Sequence, residues 1–424
     1  MKLKNYAKVF LFVLTAALFS CGGSDDGSGA ASSITVTANS SSVFVGESVT
    51  FTVTNNLGNN VTSGSVLEVN GESISNPYAF DTTGSFQVTA TNGGLTSSIT
   101  ISVQAVPVPS SITLSTNSDS FWFDDGQTSL LVLTDLGYEV TLQSTMIAES
   151  GTVTNPVSFD NPGTYNVVAT YTLENGTVLT SNTVQLKAVE STHSTKVMIE
   201  DYTGTWCQYC PRLAYAVEQA VQANSNIIPV AIHDDNEMLF PFATQMESAF
   251  GVTGFPSGRL NRTINWNEST SQPVSLLSNR QNMGLAINSS IQGGTITAEV
   301  KVHYDLKVNS QNRLVVYLLE NGLVYPQVNF YNTDPSSPFY QQGNPIPDFV
   351  HDHTARTVFT GIFGDDIPAA QSVTGNTYTA NYNVSVPSSV QNTANLELVA
   401  FVVGPDNKVL NVQKADLGEN KDFD

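Results

Sequence analysis

The chain has 424 residues, of which 40% are hydrophobic and only 12% charged, with a formal net charge of −21. That length exceeds one domain, and so acidic a chain has no means of neutralising phosphates in bulk, which excludes nucleic acid as a partner. Thr, Ser, Asn and Val are abundant, favouring β-rich domains over helical bundles. The three cysteines, at 21, 207 and 210, are too few for a four-cysteine zinc site.

Lys2, Lys4 and Lys8 precede an apolar run, Val9–Leu18, that is too short to span a bilayer and reads as an export signal. It ends in Leu18-Phe-Ser-Cys21, which resembles the bacterial lipobox. That resemblance implies cleavage before Cys21 and its diacylation, making residues 1–21 a lipoprotein signal and Cys21 the membrane anchor. Two or three acyl chains hold far better than one. The alternative is an ordinary cleaved signal with an incidental cysteine. Residues 22–32 form a Gly/Ser-rich tether, and Asp25-Asp26 resembles the surface-export signal of Bacteroidetes lipoproteins. The expected location is the outer membrane, lipid-anchored and facing the cell surface, with the periplasmic face as the alternative. Disulfides form in either compartment.

An internal repeat follows. Ser32-Ser-Ile-Thr-Val-Thr-Ala-Asn-Ser40 returns at Ser110, and Asn76-Pro-Tyr-Ala-Phe-Asp-Thr-Thr-Gly-Ser-Phe86 returns as Asn155-Pro-Val-Ser-Phe-Asp-Asn-Pro-Gly-Thr-Tyr165. Short runs such as Ser48–Val53 alternate polar and apolar residues between turn residues, the pattern of half-buried antiparallel strands. Residues 33–105 and 110–189 are therefore predicted as two β-sandwiches, and the Asp-x-x-Gly-x-Phe/Tyr stretch resembles a late strand of immunoglobulin-like domains, where an aromatic closes a corner. Their expected role is spacing and presentation, with ligand binding by their loops as the alternative. Ala105-Val-Pro-Val-Pro109 is a stiff linker between them.

From residue 195 the pattern changes. Val197–Tyr202 reads as a buried parallel strand, Thr203-Gly-Thr-Trp206 as a turn, and Arg212–Ala223 as a helix with Leu213, Ala216, Val217, Ala220 and Val221 on one face. Ile227–Ile232 is a second buried strand, and helices are predicted over Phe240–Phe250 and Ser271–Met283. This order predicts a thioredoxin-like α/β domain over residues 195–285. Trp206-Cys207-Gln-Tyr-Cys210-Pro211 lies at the strand-to-helix turn, where the helix dipole and unpaired N–H groups favour a thiolate. Cys207 is the predicted exposed nucleophile and Cys210 the buried resolving thiol. Pro211 sits where its missing N–H is tolerated.

The segment resembles the thioredoxin-like part of a Bacteroidetes lipoprotein family, the outer membrane protein 28 family, through Ile199–Arg212 and Phe250-Gly-Val-x-Gly-Phe-Pro-x-Gly-Arg-Leu-Asn-Arg262, and the likeness continues to Gly418. It implies that Pro256 is a cis-proline facing the cysteine pair and that Phe255 presents its backbone to an extended substrate, with Trp206 the other expected substrate-binding residue. It also implies a buried acid that assists Cys210. Asp201 is the favoured candidate and Glu200 the neighbour, since alternation lets only one point inward. Arg259, Asn261 and Arg262 are expected in surface ion pairs, with binding of an acidic partner as the alternative. Members of this family are discussed both as redox-like proteins and as surface receptors or adhesins.

From Leu285 onward short β-runs return, predicting a C-terminal β-sandwich over residues 286–424. Tyr325–His353 reads as a packed or binding loop, and His351-Asp-His353 spaces two imidazoles on one face of an extended segment without an identifiable third ligand. The whole is thus expected to be multidomain and mainly β. The predicted function is thiol–disulfide exchange on protein or peptide thiols and disulfides, needing no cofactor or metal. The rival is a non-enzymatic surface protein, binding a cell-surface ligand, in which Cys207–Cys210 is structural.

Overall fold

The computed structural model describes residues 30–149, 151–234 and 237–424. Cys21 and the export signal lie outside the described residues. The chain divides into two compact units, Met1–Val108 and Pro109–Asp424, at the proline-containing linker. Among the described residues no helix is long and apolar enough to cross a membrane.

In the first unit, strand Ile34–Ala38 pairs with Phe51–Asn55, and a five-stranded sheet is built on the hairpin of Gly84–Asn92 and Leu95–Gln104. Alternate residues of these strands, among them Val36, Phe51, Val53, Val88 and Ile101, fill the core, as a period of two requires. The second repeat, inside the second unit, reproduces the plan: Ile112–Thr116 pairs with Leu130–Thr134, and a six-stranded sheet is built around Gly163–Thr172. The repetition extends to single contacts. The Asn76 amide brackets the Phe51 backbone, accepting from its N–H at 2.9 Å and donating to its carbonyl at 2.8 Å. Asn155 does the same to Leu130 at 2.9 and 2.8 Å. Tyr165 closes the predicted corner by donating its hydroxyl to the Asn161 carbonyl at 3.0 Å. Phe86, lacking a hydroxyl, packs on Phe80 instead.

The rest of the second unit is numbered from its first strand. Its elements are β1 (Val197–Thr203), α1 (Cys210–Ala223), β2 (Ile227–His233), α2 (Ala243–Phe250), β3 (Ser257–Leu260), β4 (Ile264–Asn265), α3 (Ser271–Leu276), β5 (Met283–Gln292) and β6 (Thr295–Tyr304). There follow β7 (Asn312–Glu320), β8 (Leu323–Gln327), β9 (Ile346–His351), β10 (Thr354–Val358), β11 (Asp365–Ile367), β12 (Thr377–Ser385), β13 (Leu396–Val403), β14 (Val409–Asp416) and β15 (Asn420–Lys421).

One nine-stranded sheet dominates, in the order β4-β3-β1-β2-β10-β7-β13-β14 with β11 alongside β7. β1 and β2 are parallel, as predicted, and β3 runs antiparallel to β1. Every residue of β1 and β2 is buried, so these strands need cover on both faces and a neighbour on both edges. The expected boundary at residues 285 and 286 therefore does not coincide with a sheet edge: β10, β7, β13 and β14 continue the sheet that β1 begins. Met198, Tyr202, Val230 and Ile232 pack on one face with Phe240, Met246, Tyr317 and Phe401. On the opposite face Ile199 and Leu260 receive Leu213, Val217 and Ala220 of α1. Farther along, Val316, Leu318 and Leu398 pack against Leu285, Ile287 and Val300 of a four-stranded sheet ordered β12-β6-β5-β15. The helix expected over Ser271–Met283 stops at Leu276, because Met283 opens β5. The protein is thus mainly β with multiple sheets.

Candidate functional site

The strand-to-helix turn after β1 holds a Cys207–Cys210 disulfide. The turn is stitched by Cys207 N–H donating to the Gly204 carbonyl at 3.0 Å and Cys210 N–H to the Cys207 carbonyl at 3.2 Å. α1 begins at Cys210, with Pro211 in its first turn and no side chain capping its N–H groups, so the positive end of the helix dipole faces the disulfide. Phe255–Pro256 is a cis peptide. The Trp206 indole donates to Asp234 Oδ1 at 2.9 Å, and its ring lies 5.4 Å from that of Phe255. Trp206, Cys207, Cys210, Phe255 and Pro256 thus come together at one end of β1. Gly204 is required here: a Cβ on it would fall 2.7 Å from the Trp206 ring nitrogen.

The expected exposure of Cys207 is corrected. It is only 3% exposed, hardly more than Cys210 at 1%. The reason is the end of β8 and the residues that follow it, the start of the aromatic loop flagged in the sequence. Gln327 is itself buried and donates from Nε2 to the carbonyls of Cys207 at 2.9 Å and of Gly204 and Thr205 at 3.2 Å. Val328 N–H reaches the Thr205 carbonyl and Phe330 N–H the Gln208 carbonyl, both at 2.9 Å. The Phe330 ring sits 4.7 Å from Tyr209. This strap leaves an aromatic rim of Trp206, Tyr209 and Phe330 exposed around a covered disulfide.

Asp201 and Glu200 are both buried, which corrects the expectation that only one could point inward. The sheet is covered on both faces, so alternation sends each carboxylate into a different interior. Glu200 meets Arg262, whose Nε donates to it at 3.2 Å, and Tyr202, whose hydroxyl donates at 3.2 Å. Arg262 is fully buried rather than in a surface pair. It also hydrogen-bonds the Tyr317 hydroxyl and the Ile362 carbonyl, and stacks 4.6 Å over Phe401. Arg259 reaches Ser257 Oγ at 2.7 Å, and Asn261 accepts from Met198 N–H at 2.9 Å.

Asp201 faces α1. Its Oδ1 has no hydrogen-bond partner among the described residues. Burial, with some help from the Glu268 carboxylate, pushes its pKa up to about 8. A cavity of about 50 Å³ connects it to the disulfide, lined by Asp201, Thr203, Cys210, His233, Gln327 and His351. That is room for a water molecule between acid and sulfur. A larger cavity of about 420 Å³ borders Asp201 from the side of Tyr215, Glu218, Phe349 and His353. The site can thus hold a proton beside Cys210. Gln327 and His233 escaped the sequence reading, since neither lies near the cysteines in the chain.

His351 and His353 are not a ligand pair. His351 ends β9 and lies 5.2 Å, ring to ring, from His233, whereas His353 has φ +56° and bonds Glu397 at 2.6 Å. The backbone reverses between them, which destroys the shared face.

Residues 243–421 match the family model described as outer membrane protein Omp28. The match takes in Phe250–Arg262 and leaves the cysteine turn and both repeats outside it. It points to an outer-membrane or surface location. No curated protein matches the chain. Among solved structures, HBP35 of Porphyromonas gingivalis is 16% identical over 55% of this chain and 78% of its own, with a TM-score of 0.44. Domains 4 and 5 of the S-layer protein SbsC are 14% identical, covering 36% of this chain and 98% of theirs, at a TM-score of 0.23.

Proposed function

We propose that this is a lipid-anchored outer-membrane or surface protein whose thioredoxin-like segment exchanges thiols and disulfides at Cys207–Cys210. The observation that carries this reading is a buried, unpartnered acid, Asp201, sharing a small cavity with Cys210 under a disulfide at a helix N-terminus. A structural disulfide needs no proton donor beneath it. In the oxidising direction, a substrate thiolate attacks Cys207 Sγ and the Cys207–Cys210 bond breaks. Cys210 leaves as a thiolate and takes the proton held by Asp201. A second substrate thiolate then displaces Cys207, so the substrate loses two electrons as its disulfide forms and the protein gains them as a dithiol. Run backwards, the same steps reduce a substrate disulfide. The rim of Trp206, Tyr209 and Phe330 offers an extended peptide apolar contacts beside Pro256. Cys21 is the proposed anchor.

The second reading, a binding protein with a structural disulfide, is favoured by the burial of Cys207 beneath the Gln327 strap. Cys210→Ser separates the two, because it leaves Cys207 able to attack but unable to resolve. Mixed disulfides with partner proteins are expected on that variant and absent from Cys207→Ser. A reduction potential below about −300 mV, with no adduct on Cys210→Ser, overturns the redox reading.

A further inference from the structure

A second cluster of reactive side chains lies away from the cysteines, where the linker leaving the second repeat crosses β5 and β6. His193 comes from that linker, and His303 and Asp305 from the end of β6. His193 Nε2 and His303 Nδ1 are 2.8 Å apart, and Asp305 Oδ1 lies 3.6 Å from the first and 3.7 Å from the second. Three donor atoms from separate side chains thus converge on one point, the one such grouping of His, Cys, Asp or Glu found among the described residues.

The cluster is built rather than incidental. The side chains of His193 and Asp305 are 5% and 2% exposed. The Asp305 carboxylate is oriented by Thr192, which donates its N–H to Oδ2 at 2.9 Å and its hydroxyl to Oδ1 at 2.6 Å. Such outer contacts to a ligating carboxylate are what fix a metal ligand in place. The His193 ring is seated directly on Gly284, where a Cβ would lie 2.4 Å from it. Phe423 covers both imidazoles, with ring centroids at 5.4 and 5.9 Å.

We propose that His193 Nε2, His303 Nδ1 and Asp305 Oδ1 bind one zinc(II) ion, with the fourth coordination position open to solvent beside His303. Two imidazole nitrogens and one carboxylate oxygen are the ligand types zinc takes, at about 2.0–2.2 Å, which spaces neighbouring ligand atoms roughly 3.3 Å apart. The carboxylate distances are close to that spacing already, and the two nitrogens reach it by opening about half an ångström. With both inner nitrogens on the metal, each ring carries its proton on the outer nitrogen: that of His303, partly exposed, has access to water, and His193 Nδ1 is buried with no hydrogen-bond partner among the described residues. The ion would tie the linker to β6 and so lock the second repeat to the four-stranded sheet. This does not depend on the redox reading.

The test uses the full chain carrying Cys21→Ser, with the Cys207–Cys210 disulfide kept oxidised so that no thiol competes. One equivalent of Zn²⁺ is expected to bind and to raise the melting temperature, which Mg²⁺ at the same concentration does not. Co²⁺ is expected to give the strong visible absorption of a four-coordinate ion. His303→Ala should bind Zn²⁺ at least tenfold more weakly and show no zinc-dependent rise above its own metal-free melting temperature. His303→Gln serves in its place should the alanine variant fail to fold. The proposal is overturned if the parent chain takes up no more Zn²⁺ than Mg²⁺, if bound Co²⁺ is six-coordinate, or if the His303 variant binds with unchanged affinity.

Discussion

Glu200 and Asp201 are adjacent on β1, both buried, and the protein treats them in opposite ways. On one face Glu200 is met by Arg262 and the Tyr202 hydroxyl, and the arginine in turn by Tyr317 and Phe401. On the other face Asp201 has an unpartnered oxygen, a cavity and a disulfide. A buried charge that is paired and hydrogen-bonded holds structure together. A buried acid left without a partner keeps its proton instead, and a proton available at neutral pH is useful to chemistry. On the reading proposed above, the Glu200 face serves stability and the Asp201 face the disulfide chemistry.

The largest effect should come from unpairing the first face. Arg262→Met leaves Glu200 buried without its cation, and a loss of about 3–5 kcal/mol in urea unfolding is expected. Adding Glu200→Gln should recover part of it. A single variant no less stable than the parent would show that the pair contributes nothing.

Asp201→Asn should act in the other direction. In the unfolded chain the carboxyl ionises near 3.9, and in the fold at about 8, so the folded state holds the proton more tightly. The contribution of this group is complete below pH 4 and is lost steadily as pH rises to 8. Asparagine has nothing to ionise, so the variant should gain about 2 kcal/mol or more over the parent at pH 8 and nothing at pH 4. Its thiol exchange should slow and lose its pH dependence near 8. Equal stability of the two proteins across that range would break the comparison.

The smallest effect is expected at the strap. Gln327→Ala removes donors from three carbonyls of the cysteine turn, a loss of about 1–2 kcal/mol. In the reduced protein Cys207 should be alkylated about tenfold faster, as a local opening made easier by that amount implies. An unchanged alkylation rate would show that the strap does not gate the thiol.

Much of this was legible in the sequence because its signals are local. The strand, turn, helix and cysteine order of Val197–Ala223, the cis Pro256, and the repeat of Asn76 at Asn155 each depend on a few consecutive residues. What could not be read was long-range. Cys207 looked exposed because the residue that covers it, Gln327, belongs to another strand. Arg262 looked like a surface residue because its partner lies on β1 and its stacking ring on β13. The C-terminal strands looked like a separate sandwich because nothing in Leu314–Leu319 of β7 says that its neighbour is β10, which joins it to β2. Pairing across a sheet leaves no mark in either strand alone. His193 and His303 share the same difficulty, being single residues on different elements.

The shared sheet also sets an order of events. Ala231 on β2 finds its partner across the strand edge only at Thr354 on β10, and Thr354 in turn borders Glu320 on β7. A chain that emerges from its amino end therefore completes both sandwich repeats, β1 and β2 while β2 still lacks a neighbour on one side. Contacts this distant along the chain make for slow folding and a long exposure of apolar strand edges. The cysteines must wait, unpaired or prematurely joined, until the last third of the protein arrives to enclose them.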